Sequence, residues 1–132
     1  MLSVPVVTMV YTGVLGLLAV ALTVNVIVNR VRLHVDAGDG GQPQMAQAIR
    51  AHANFTEHVP LALLLIAGSE IAGARAWVVY SLGGALVLAR LLSAWGLSHS
   101  LGRSTGRQAG AALTILVTFA ASLSVLYTVL AR

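Results

Sequence analysis

Long apolar runs alternate with short polar breaks along this chain. Residues 1–29 carry no charged side chain, more than the ~20 residues needed to cross a bilayer, and predict a first helix over about 4–29. Met1-Leu-Ser-Val-Pro5 holds no basic residue, so this segment reads as a retained helix rather than a cleaved secretory leader. The polar stretch Asp36-Ala-Gly-Asp-Gly-Gly-Gln-Pro43 then stops any helix with its Gly and Pro residues. A second helix is expected over 44–72, polar in its first third, apolar afterwards, and bent at Pro60. A third follows over 76–97 with Arg90 as its single charge. Breakers around Arg103 separate it from a fourth, over 107–130. The expected fold is all-α: one domain, residues 1–132, forming an integral membrane four-helix bundle.

Composition agrees. Hydrophobic residues make up 58% of the chain and charged residues only 9%, where a soluble domain carries about 25%. No cysteine is present, which excludes disulfides, thiolate metal sites and a cysteine nucleophile. The net charge of +4 comes from eight arginines and no lysine. They are too scattered for the dense basic face that nucleic acid requires. Arg30, Arg32, Arg50, Arg103 and Arg107 flank the first and third loops, against Arg75 and Arg132 on the other side. The positive-inside rule therefore puts loops 30–50 and 98–107 in the cytoplasm and both termini outside it. Tyr11, Tyr80 and Tyr127 fall in the non-cytoplasmic half, away from the polar residues described next.

The run Arg50-Ala-His-Ala-Asn-Phe-Thr-Glu-His-Val-Pro60 opens the second helix. Arg50, Asn54 and Glu57, at i, i+4 and i+7, share one helical face. Ionisable groups at such a place are costly unless they face protein, water or a ligand. Glu57 lies roughly 10 Å along the axis from Arg50, at ~1.5 Å per residue, and Arg90 is at similar depth on the third helix. A Glu57–Arg90 contact is expected, either as bundle glue or as part of a site. Arg32, Arg50 and Arg107 add more cations than one glutamate neutralises, and the start of the fourth helix adds partial positive charge. Such a funnel suits a small anion with several carboxylates. Arg30 and Arg103 read as snorkelling, topology-setting residues. His52 and His58 are six apart, unlike the i, i+4 pair of a helical metal site, so no metal is expected; His34 and His99 read as loop residues. The series Gly102-x-x-x-Gly106-x-x-x-Gly110 and the pair Gly83-Gly84 permit close helix approach. Gly38 to Gly41 lacks the residues of a phosphate-binding loop.

Arg50-Ala-His52-x-Asn54-x-x-Glu57-x-x-Pro60 resembles the signature of the MAPEG family, membrane-associated proteins in eicosanoid and glutathione metabolism. Val31-Arg32-Leu33, Gly38-Asp-Gly-Gly41, Arg90-Leu-Leu-x-Ala-x-Gly96 and Arg107-x-x-Gly110-x-x-x-Thr114 resemble further family segments in the same order. The small bacterial members are the nearer likeness, which implies a place in the bacterial inner membrane. The resemblance also implies a homotrimer with glutathione as co-substrate between subunits near the cytoplasmic face. Arg32, Arg50, His52, Asn54, Glu57 and Arg90 then match residues around glutathione, and Arg107 is the candidate for stabilising its thiolate. A lipophilic electrophile would arrive from the bilayer, giving transferase or peroxidase-like chemistry. Ser93 stands where the family motif has His, Leu97 where the synthases have Tyr, and Ala111 lacks their aromatic hydroxyl. Thiol activation without a tyrosine is therefore expected. The alternative is a non-catalytic bundle that binds a small anion or has a structural or transport role.

Overall fold

Four helices account for most of the described residues: α1 (Val6–Leu33), α2 (Pro43–Ile71), α3 (Ala76–His99) and α4 (Thr105–Leu130). The computed structural model describes residues 4–99 and 105–131, with the side chains of 97–99 and Arg107 outside the described set. α1 continues a full turn past Asn29. Arg30 and Arg32 occupy its last turn, where cations favour the negative end of the helix dipole. His34 ends it in the left-handed conformation, with φ 54°. Pro43 takes the first position of α2, where its missing N–H costs nothing, and α2 runs unbroken through Pro60. Gly73, at φ 86°, makes the short turn into α3 that a side chain would strain.

α2, like α3, packs against the other three helices. Its buried residues Met45, Ala48, Ala51, Phe55, Val59, Ala62, Ile66 and Ser69 recur every three or four positions, which makes one continuous inward stripe. Leu15, Val79, Leu86 and Val117 close the core around it. Large apolar residues such as Leu17, Leu64, Trp77 and Phe119 point outward instead, the arrangement a lipid surroundings requires. α1, α3 and α4 each contain a segment long and apolar enough to cross a membrane. α2 has the same height, because its start meets the end of α1 through Arg32–Gln44 and its end meets the start of α1 through Glu70. The protein is an integral membrane four-helix bundle.

That second junction replaces a missing cap. Pro5, at the N-cap of α1, offers no side-chain hydrogen bond. The Glu70 carboxylate accepts instead from the Val7 N–H at 2.9 Å, the Thr8 N–H at 2.8 Å and the Thr8 hydroxyl at 2.6 Å. Free helix-end N–H groups next to hydrocarbon are expensive, and a carboxylate complements the positive end of the dipole. Glu70→Ala is expected to lower stability by about 1–2 kcal/mol, the usual cost of losing a cap. Amide exchange should then accelerate first at Val7 and Thr8.

Candidate functional site

Arg90 on α3 is only 3% exposed. One guanidinium nitrogen donates to the Asn54 side-chain oxygen on α2 at 2.8 Å. The other donates to the Gly110 carbonyl on α4 at 3.2 Å, to Ser93 Oγ at 3.3 Å and to Thr114 Oγ1. Thr114 in turn donates to the Gly110 carbonyl at 2.8 Å. The Arg90 Nε–H is buried with no acceptor among the described residues. Arg90 therefore ties three helices together, yet the partners described for it are neutral oxygens. A buried cation without a counter-charge is costly, all the more at membrane depth.

Gly110 makes this arrangement sterically feasible. A methyl group there would overlap Ser93 Oγ and lie 2.6 Å from the Ala89 carbonyl oxygen and 2.8 Å from the Ser93 nitrogen. Gly106 faces α3 as well, with the Gly96 Cα 3.5 Å from where its Cβ would stand. The glycine spacing in α4 thus marks a close helix crossing that delivers the Gly110 carbonyl to Arg90. Gly83 serves the other half of the bundle: the Tyr11 ring lies over it while the Tyr11 hydroxyl donates to the Tyr80 carbonyl at 3.2 Å.

The expected Glu57–Arg90 contact is not made. Glu57 is exposed on the protomer surface, and Asn54 takes its place. Three residues along a helix of 3.6 per turn rotate the side chain by roughly 60°, which carries Glu57 off the face that meets α3. Arg50 is exposed as well, and His52 is half-buried, its carbonyl accepting from the Thr56 hydroxyl at 3.2 Å. Arg30 braces the loop after α1, donating to the Val35, Asp36 and Gly38 carbonyls at 3.1–3.4 Å. Arg107 belongs to the first turn of α4, with its side chain outside the described residues. Arg103 lies outside them too. His99 ends α3 rather than standing in a loop.

Two cavities lie along the α1–α2 interface. A polar cleft of about 390 Å³ between α1 and α2 is lined by Asn25, Asn29, Arg32, Gln44 and Gln47, with Ala94 of α3 at its back. Arg32 is held there by Gln44 Oε1 and by Asn29 Oδ1 at 3.4 Å, and Asn29 donates to the Asn25 carbonyl at 2.8 Å. An apolar groove of about 420 Å³, lined by residues including Met9, Leu15, Phe55, Val59 and Leu63, continues along the same interface toward the start of α1. Both volumes are in the range that holds small organic ligands. Asn25, Asn29 and Arg32 stand at i, i+4 and i+7 on α1, a polar stripe within an apolar helix. That spacing was the sequence signal for the cleft, and attention to charged residues alone passes over it.

The MAPEG family model matches residues 8–127. This chain belongs to the MAPEG family. The chain is also 34% identical over 93 residues to the inner membrane protein YecN of Escherichia coli K12, spanning 70% of this chain and 71% of that protein. YecN from an O6:H1 strain of the same species matches to the same extent. No solved structure matches. Of the residues the sequence offers as candidates around a ligand, Asn54 and Arg90 are joined directly among the described residues, and Arg32 lies in the adjoining cleft.

Proposed function

We propose that this MAPEG protein is a glutathione-dependent transferase or peroxidase-like enzyme that acts on lipophilic electrophiles. The observation that carries the reading is Arg90: a buried guanidinium with neutral partners beside a polar cleft that already holds Arg32. An anionic ligand supplies the counter-charge such a site lacks. Glutathione has two carboxylates, an amine and a thiol. Arg32 and Arg50 suit the carboxylates, which they can grip bidentately, Glu57 suits the amine, and His52 and Asn54 brace these contacts. Arg107 favours the thiolate by placing positive charge near a thiol whose ordinary pKa is ~8.5. The thiolate sulfur attacks an electrophilic carbon, a C–S bond forms, and the displaced group leaves with the bonding electrons and is protonated by water. The apolar groove offers such an electrophile a way in from lipid.

The protein works as a homotrimer in this reading. Arg50 and Glu57, exposed on one protomer in the bundle, are costly against hydrocarbon, and a neighbouring protomer or the ligand covers them. The kinship with YecN supports the bacterial inner membrane, and the arginine bias supports cytoplasmic loops at 30–50 and 98–107.

The test is ultraviolet difference absorbance of purified protein titrated with glutathione. A saturable thiolate signal is expected, and Arg107→Ala should remove it while binding persists. Absence of both binding and thiolate signal defeats the assignment. A second reading, structural glue, is favoured by the way Arg90 links α2, α3 and α4; it predicts assembly defects in Arg90 variants and no response to thiols.

A further inference from the structure

A void of about 10 Å³ adjoins Arg90, room for about one water molecule. It is bounded by Leu22, Ala51, Asn54, Phe55, Ser93 and Ala94 as well as Arg90. Leu22, Ala51 and Ala94 also line the polar cleft, so these three residues form the wall between the cleft and the void. Two of the three are alanines, whose side chains have no rotamers. Leu22 is the member of that wall that can swing aside, and it is half-buried rather than locked in the core. Behind it lies a guanidinium that is 3% exposed with an Nε–H lacking any acceptor among the described residues. Small void and polar cleft thus adjoin beside a buried guanidinium that keeps one unused donor.

We propose that Leu22 is a gate between the polar cleft and Arg90, through which the charged end of a small anionic ligand reaches the guanidinium. With Leu22 in place, the void admits nothing larger than water. With the side chain rotated toward the cleft, void and cleft join, and an anionic group held by Arg32 at one end places its other end against the Arg90 Nε–H. Rotamer changes of a partly exposed leucine are fast, so the gate sets access without a rearrangement of the helices. Identification of the anion as glutathione rests on the reading above; the gate itself does not.

The experiment measures how fast 2,3-butanedione, a small arginine-selective dicarbonyl, modifies Arg90 in the full-length protein in detergent, read by mass spectrometry of the Arg90 peptide. Arg75, exposed in the turn before α3, serves as internal reference. Leu22→Ala should accelerate Arg90 modification several-fold with Arg75 unchanged, and Leu22→Phe should slow it. Leu18→Ala, which trims α1 one turn away at a residue lining neither void nor cleft, should leave the rate as in the wild type. Equal acceleration by Leu18→Ala would mean general loosening and would overturn the proposal, as would an Arg90 rate indifferent to Leu22. Protection of Arg90 by glutathione in Leu22→Ala supports gate and ligand together. Acceleration without protection supports the gate while removing glutathione as its ligand.

Discussion

Asn54→Leu is expected to destabilise the bundle by about 2–3 kcal/mol, the range for deleting one side of a hydrogen bond to a charged group, and Arg90→Met by less. The asymmetry comes from what each variant leaves behind. Without Asn54, the guanidinium keeps its full charge in a buried position and loses its 2.8 Å acceptor on α2. Without the guanidinium, Asn54, Ser93 and Thr114 keep neutral polar groups, and Thr114 retains its own bond to the Gly110 carbonyl. Exchange of a buried ion for an apolar side chain of similar length is often close to neutral. Melting in detergent micelles measures the order of the two variants. If Arg90→Met is the more damaging, the cation is chiefly structural and its neutral partners suffice for it.

Gly110→Ala is expected to cost about 3 kcal/mol: overpacking at a tight contact costs 1–3, and strain on a charge-assisted bond adds to it. The methyl group has no free direction, since it meets the Ser93 side chain and the α3 backbone at Ala89 and Ser93 together. Only separation of α3 from α4 relieves it, and separation withdraws the Gly110 carbonyl and the Thr114 hydroxyl from Arg90. Gly13→Ala is the natural control. Nothing lies within 4 Å of a Cβ at that position, so it should leave the melting temperature unchanged or raise it through better helix propensity. Equal effects of the two substitutions would show that the α3–α4 crossing is looser than described.

The spans were legible because uninterrupted apolar runs of bilayer length have few other uses. α1 runs a turn beyond the uncharged stretch that predicts it, since arginine is a good helix former and Arg30 and Arg32 suit a helix C-terminus. Depth along the axis correctly brought Arg90 opposite the polar face of α2. Depth does not report rotation about the axis, and rotation decides between Asn54 and Glu57. The cap formed by Glu70 on Thr8 had no readable signal, because 62 residues separate the two and only the antiparallel packing of α1 and α2 brings them together. Gly110 was visible as one of several spaced glycines, but in a chain with 13 of them the spacing alone does not say which faces a neighbour. Family membership, by contrast, was carried by the Arg50 to Pro60 motif.

The most direct test of the account is the shift in melting temperature produced by glutathione in the wild type and in Arg90→Met. A ligand at 100 times its Kd stabilises the protein that binds it by about 2.7 kcal/mol. The account predicts a clear upward shift in the wild type and little or none in the variant. An equal shift in both proteins, or none in either, would contradict the claim that the buried guanidinium awaits an anion.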